Sequence, residues 1–125
     1  MSPVTQQLSQ DARTRIDREV AKYPPDQKQS AVMAALAIAQ EEQGHLSNDV
    51  MNEVAGVLGM PAVAVYEVAS FYSMYDLAPI GRHKLCVCTN LPCALSGANE
   101  AADHLRKTLG IGFGENVGQP RFDAR

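Results

Sequence analysis

Apolar residues in the first part of the chain recur every three or four positions, which is the spacing of amphipathic helices. This pattern predicts four helices, at about Ser9–Lys22, Asp26–Gln43, Ser47–Gly59 and Pro61–Tyr75. A proline pair follows the first helix, glycines follow the second and third, and a serine N-cap begins the third. Residues 1–78 are therefore predicted to form a helical bundle. The predicted inward positions of the first three helices are Ile16, Val20, Val32, Leu36, Ala39, Val50, Val54, Val57 and Leu58.

The pattern changes after Leu77–Gly81, which has the composition of a turn or short linker and is the predicted domain boundary. His83–Cys88 is typical of a buried strand, and Ala94–Leu109 has helical spacing and a glycine after its last residue. The glycine-rich segment 112–119 predicts a loop, and Arg121–Arg125 predicts the start of another strand. The predicted inward positions of the helix are Leu95, Ala98, Ala102, Leu105 and Leu109.

Residues 82–125 contain too few predicted strands to form an independent sheet, because even a two-stranded sheet is marginal in water. We therefore interpret this segment as the N-terminal part of a larger α/β domain, and the chain as a fragment or a truncated gene product. The expected fold class is α+β, with a helical bundle followed by an incomplete α/β domain.

Composition restricts the environment of the chain. Its 125 residues are 46% apolar with a formal net charge of −3, as in an ordinary globular protein. No apolar run approaches the roughly 20 residues that span a bilayer. The first residues lack the basic and apolar blocks of a signal peptide. Three clustered cysteines do not make a disulfide framework, so we expect a cytoplasmic protein with reduced thiols.

Residues 51–70 resemble a DNA-binding helix-turn-helix in their packing pattern, with small Ala55 at the helix crossing, Gly59 in the turn and apolar Val65 in the second helix. DNA binding requires Lys and Arg to meet the phosphates, and none occurs between Gln29 and Gly81. The charge pattern therefore predicts no nucleic-acid partner. Six acidic residues lie in that interval: Glu41, Glu42, Asp49, Glu53, Glu67 and Asp76.

The tract from Val63 to Tyr75 is apolar most of the way round a helix. Two interpretations stay open: a central helix of the bundle, or a helix with one face against a partner chain. The hydroxyls of Tyr66 and Tyr72 would find hydrogen bonds at such an interface.

The three thiols allow several kinds of site. A thioredoxin-type dithiol has two residues between its cysteines, whereas four separate Cys88 from Cys93. A zinc site would combine Cys86, Cys88 and Cys93 with His83, but without the usual knuckle. A plant-type ferredoxin site fails because Ser96 stands where its third cysteine should be.

A further interpretation is one half of a two-pair iron–sulfur site, with Cys88 and Cys93 as metal ligands. Both stand where the predicted strand gives way to a loop and helix. Cys86 lies inside the strand and is predicted to be a buried, inert thiol.

Three motifs carry a resemblance to a known family. Gln40–Ser47, Val65–Tyr72 and Val87–Cys93 resemble, in order and spacing, the 24-kDa-type iron–sulfur subunit of bacterial NADH–quinone oxidoreductase, or complex I. Related subunits occur in NAD-linked formate dehydrogenases and hydrogenases, which are the alternative parent enzymes. No nucleotide-binding glycine pattern follows a predicted strand.

The resemblance implies that residues 82–125 are the N-terminal part of a thioredoxin-like domain with a [2Fe-2S] cluster. Cys88 and Cys93 would bind one iron, and a Cys-x3-Cys pair, which this sequence does not contain, would bind the other. Complete cluster binding by these 125 residues is therefore not expected.

The resemblance also implies the partners and the location. The chain would be an electron-transfer subunit next to a flavin subunit that binds FMN and NADH, together with other subunits of a peripheral arm. That arm lies on the cytoplasmic face of the inner membrane, and the chain itself would neither insert into the membrane nor catalyse a reaction alone. The alternative is a cluster-free assembly module that docks through residues 30–75.

Overall fold

The computed structural model of the chain describes residues 8–113 and the backbone of residues 120–124. The chain divides into two compact units, Met1–Pro79 and Ile80–Arg125. In the first unit the helices are α1 (Gln10–Val20), a 3₁₀ helix (Pro25–Ala31), α2 (Val32–Gln43), α3 (Asn48–Leu58) and α4 (Ala62–Phe71). In the second unit the elements are β1 (His83–Val87), α5 (Leu91–Leu95), α6 (Ala98–Leu109) and β2 (Pro120–Ala124).

The first unit is organised around an apolar core to which every helix contributes. Its largest fully buried side chains are Ile16, Leu36, Leu46, Val50, Val54 and Val65. The apolar stripes predicted for α1, α2 and α3 enter this core, although Val20 and Val57 are only partly buried. The predicted bundle and α+β fold class are confirmed.

The helix ends predicted at Ser9, Gly44, Ser47 and Gly59 are also confirmed. Ser9 caps α1 by accepting a hydrogen bond from the Ala12 amide at 3.2 Å, and Ser47 caps α3 by accepting one from the Val50 amide at 3.3 Å. Gly44 and Gly59 end α2 and α3 with positive φ angles of 81° and 66°. A side chain would strain the backbone at both positions, which explains glycine there.

Two predicted helices are shorter than expected. The helix predicted from Asp26 is a 3₁₀ helix followed by α2, and within the 3₁₀ helix Gln27 leaves the helical region with φ −126° and ψ 33°. The helix predicted to reach Tyr75 ends at Phe71, and Tyr72 is extended with φ −87° and ψ 122°. Pro61 is the N-cap of α4 and not part of its first turn.

The segment that follows α4 is held against α2 by hydrogen bonds. The Gln40 amide donates from Nε2 to the Met74 carbonyl at 3.0 Å and accepts at Oε1 from the Asp76 amide at 2.7 Å. The Tyr75 hydroxyl donates to the Met33 carbonyl at 2.9 Å, and the Leu46 amide donates to the Asp76 carbonyl at 2.7 Å. These contacts replace the helical hydrogen bonds that a longer α4 would have made.

Glu53 is a buried carboxylate on α3 that sequence periodicity did not single out. It forms a salt bridge with the guanidinium of Arg13 and accepts a hydrogen bond from the Leu8 amide at 3.1 Å. A buried charge is tolerated only with such partners. Glu53 therefore ties the start of α1 to α3.

The packing of α3 against α4 resembles that of a helix-turn-helix, as predicted. The two helices are bent by 119° across the Gly59 turn, and Ala55 and Val65 are buried. Within the described part of the chain, no single helix is long and apolar enough to cross a membrane, and α3 with α4 meets the length and composition requirement only as this bent pair.

In the second unit β1 and β2 pair in parallel, from His83 opposite Pro120 to Val87 opposite Ala124. The strand predicted near Arg121 is therefore present. The helix predicted from Ala94 is not continuous, because Gly97 adopts a φ of 96° and separates α5 from α6.

Burial in the second unit differs from the prediction. β1 was predicted to be buried, but Leu85 and Cys86 are exposed. Leu95, predicted to face inward, is 81% exposed, whereas Ala102 is buried as predicted. The break at Gly97 removes Leu95 from the face that Ala102 occupies. Periodicity identified the apolar residues of β1 but not whether another element covers them.

Candidate functional site

The candidate site is built where β1 ends and α5 begins. β1 ends at Val87, so Cys88 is the first residue beyond the strand, and Cys93 lies within α5. Asn90 is the N-cap residue of α5, with φ −64° and ψ 165°, and its carbonyl accepts a hydrogen bond from the Ala94 amide at 2.8 Å. Pro92 fits the first turn of this short helix, where a missing N–H leaves no intrahelical bond unmade. The turn brings the two thiols together.

A hydrogen bond connects the two thiols and shifts their pKa values in opposite directions. The backbone N–H of Asn90, and then the Cys93 thiol, donate to the Cys88 sulfur and lower the pKa of Cys88. The same bond, with the negative charge on Cys88, raises the pKa of Cys93. Cys88 is therefore the first of the pair to become a thiolate, and thiolates are the form that binds metals.

The pair lies in an open groove of about 540 Å³ between the end of β1 and the helices α5 and α6. Cys86 lines the same groove, since residues two apart on a strand point to the same side. The prediction that Cys86 is buried is wrong: its thiol is exposed. The remaining lining residues are small or apolar and comprise Val87, Pro92, Ser96, Gly97, Ala98 and Ala101.

The described residues give no support to the zinc interpretation, because no three His, Cys, Asp or Glu side chains among them are arranged to hold a metal ion. His83 is exposed at the start of β1. The hydroxyl of Ser96 donates to the Pro92 carbonyl at 3.0 Å, as serine often does one turn back in a helix. Ser96 therefore lines the groove with its donor already engaged.

The donor set fits one half of a two-iron cluster. In such a cluster one cysteine pair provides two thiolate ligands to a single iron. Cys88 and Cys93 place two sulfurs at one loop, and Cys88 is stabilised as a thiolate. A complete [2Fe-2S] cluster requires four such ligands, so Cys88 and Cys93 would supply two of them.

Sequence reasoning found both thiols, but it did not single out Asn90 within the loop as the backbone donor, and it misplaced Cys86. The Asn90 N–H depends on the loop conformation and has no residue-type signal. The orientation of Cys86 follows from strand periodicity, which was available from the sequence, because Cys86 and Cys88 are two residues apart.

Comparison with known proteins places these observations in a family. Residues 16–124 match the family described as thioredoxin-like [2Fe-2S] ferredoxin. The chain is 44% identical to an NADH-quinone oxidoreductase subunit of Rhizobium meliloti (strain 1021), over 88% of this chain and 64% of the relative. It is 41% identical to NADH-quinone oxidoreductase subunit 2 of Thermus thermophilus, over 84% of this chain and 58% of the relative.

A mitochondrial relative extends the similarity to eukaryotes. The chain is 36% identical to NADH dehydrogenase [ubiquinone] flavoprotein 2 of Dictyostelium discoideum, over 92% of this chain and 47% of the relative. The chain thus spans about half to two thirds of the length of these relatives. The family resemblance found in the three sequence motifs is confirmed, and the chain belongs to the thioredoxin-like [2Fe-2S] ferredoxin family.

Proposed function

We propose that the chain is an electron-transfer subunit of an NADH–quinone oxidoreductase and that Cys88 and Cys93 bind one iron of a [2Fe-2S] cluster. The observation that carries this proposal is the hydrogen-bonded thiol pair at the end of β1, in a chain whose relatives are named as subunits of that enzyme. Residues 1–78 would form the helical bundle domain, and residues 82–125 the N-terminal part of the thioredoxin-like domain.

The residues around the thiols have definite roles in this proposal. The Asn90 N–H stabilises the Cys88 thiolate before any metal is bound, and the small side chains that line the open groove leave space beside the sulfurs. A bound [2Fe-2S] cluster supplies one-electron transfer. Its other two thiolates are expected from a Cys-x3-Cys pair outside this sequence.

The proposed partner is a flavin subunit that binds FMN and NADH, in a peripheral arm on the cytoplasmic face of the inner membrane. Support comes from the names of the relatives, which are subunits of NADH-quinone oxidoreductases and therefore function with partner subunits. The chain would pass electrons and would not catalyse a reaction by itself.

The ligand assignment is tested by anaerobic reconstitution of the chain with iron, sulfide and dithiothreitol, whose thiols complete the ligand set. Sulfur-to-iron absorption and the EPR signal of the reduced sample are measured for the wild type, Cys88→Ala and Cys93→Ala. Both variants are expected to lose the signals. Cys86→Ala is the matched control, since its thiol lines the same groove, and it is expected to keep them.

Two results would contradict the assignment. An unchanged EPR signal in Cys93→Ala would remove that residue from the ligand set. Failure of the wild type to take up iron and sulfide would favour the cluster-free docking module.

A further inference from the structure

One face of α4 carries large apolar side chains that the bundle leaves in solvent. Val63, Tyr66 and Phe71 are 63%, 49% and 80% exposed, and Glu67 is exposed among them. Their spacing of three, one and four residues places them on one side of the helix. We call these four residues the α4 stripe.

The opposite face of α4 packs into the core of the bundle. Val65 and Ala69 are buried in the core, so the stripe is not needed to hold α4 in place. A groove of about 320 Å³ between α3 and α4 continues the stripe, since Val63 and Tyr66 form one of its walls and Met51 lies within it. A cluster of exposed large apolar side chains rimmed by polar residues is typical of a protein–protein contact. The interpretation of this tract as a helix of the bundle is confirmed for the buried face of α4, and contact with a partner chain stays a prediction for the exposed face.

The charge within the stripe restricts what covers it. Among the residues that the structure describes, no salt bridge is formed by the Glu67 carboxylate. The interval from Gln29 to Gly81 contains no Lys or Arg. A partner that covered the stripe with apolar groups alone would leave a carboxylate buried without a counter-charge, which strongly disfavours binding. The complementary surface must therefore include a cation.

A second copy that docks through the same stripe does not meet this requirement. In a two-fold contact of the stripe with itself, both Glu67 carboxylates would enter one interface. Neither copy would bring a Lys or Arg from the interval Gln29–Gly81. Like charges opposed across an interface disfavour association.

We propose that the α4 stripe is the docking surface for a different subunit, one that presents apolar side chains around a Lys or Arg placed opposite Glu67. Resting on the proposed function, the inference identifies this subunit as the flavin- and NADH-binding partner. Phe71 would be the apolar anchor, and Glu67 would set the orientation and speed of docking.

The dissociation constant of the chain for the purified flavin subunit of the same host tests the proposal. Phe71→Ser should weaken binding by about 30-fold or more, the effect expected for an aromatic anchor. Glu67→Lys should weaken it by on the order of tenfold or more, because it places a cation against a cation. Tyr23→Ser and Asp17→Lys are matched controls, being exposed residues outside α4, and should leave the constant unchanged.

The controls separate this proposal from the proposed function. If the wild type binds and all four variants bind equally well, the stripe is not the docking surface, while the proposed function stands. If the wild type does not bind the flavin subunit, the proposed partner and the docking surface both fail. Sedimentation of the chain alone measures self-association. Self-association that Phe71→Ser abolishes would assign the stripe to a second copy and overturn the proposal.

Discussion

Gln40 on α2 holds the segment that follows α4 with both polar atoms of its side-chain amide. Nε2 donates to the Met74 carbonyl at 3.0 Å, and Oε1 accepts from the Asp76 amide at 2.7 Å. No other side-chain type of this length supplies a donor and an acceptor together. Replacing Gln40 with alanine removes both hydrogen bonds without changing the core, and we expect it to destabilise the first unit.

The magnitude follows from the two bonds. Each hydrogen bond contributes about 0.5–1.5 kcal/mol net, so the pair contributes about 2 kcal/mol. The higher helix propensity of alanine offsets only a few tenths of a kcal/mol, roughly. For a unit of about 80 residues, each 1 kcal/mol lowers the melting temperature by about 4–8 °C. The net loss of about 1.7 kcal/mol therefore gives an expected shift of about 7–14 °C.

Thermal unfolding followed by far-ultraviolet circular dichroism measures this shift, and urea titration gives the change in unfolding free energy. Gln40→Glu keeps an acceptor for the Asp76 amide but loses the donor to Met74, and should fall between the wild type and Gln40→Ala. Gln10→Ala, at the exposed start of α1, is the control and should change stability by less than about 0.5 kcal/mol. A Gln40→Ala melting temperature equal to that of Gln10→Ala would refute the argument.

Three further predictions concern a helix cap and the thiols. Ser47→Ala should reduce the unfolding free energy by about 1 kcal/mol in urea titration, because the Val50 amide loses its side-chain acceptor; an unchanged midpoint would contradict this. Alkylation by iodoacetamide, resolved by residue with fragment-ion mass spectrometry, should show Cys88 reaching half-maximal reactivity at a lower pH than Cys93, since only the thiolate reacts. Asn90→Pro removes the backbone donor at a φ of −64° that proline adopts, and should raise the pH of the Cys88 midpoint; no upward shift would exclude that N–H as the cause.

The sequence predicted the first unit well because its determinants are local. Helical periodicity marked buried Leu36 and Val54, while Ser47 and Gly59 marked helix ends through backbone requirements of their own. The end of α4 was missed because nothing in the apolar tract stops a helix. It is determined instead by the contacts of Gln40 with residues more than 30 positions later.

The second unit was predicted less well because burial there depends on which elements lie over β1. Apolar composition alone predicted a buried strand, and the same composition is compatible with the exposed Leu85 that the structure shows. Gly97 also separates two helices that the apolar spacing joined. Its left-handed conformation is favourable for glycine, but a glycine within a helical pattern does not by itself indicate a break.

The difference between the two thiols of the strand follows from where β1 ends. Cys86 and Cys88 have the same side-chain direction and line the same groove, so residue type and strand periodicity do not distinguish them. Cys86 lies within the ladder, in register with Asp123, whereas Cys88 lies one residue beyond it, where the chain turns and directs the Asn90 N–H to its sulfur. The turn also supplies Cys93 as a second donor. A thiol at the end of the strand thus acquires a stabilised thiolate and a neighbouring thiol together, and this combination is why Cys88 and Cys93, and not Cys86, are the proposed iron ligands.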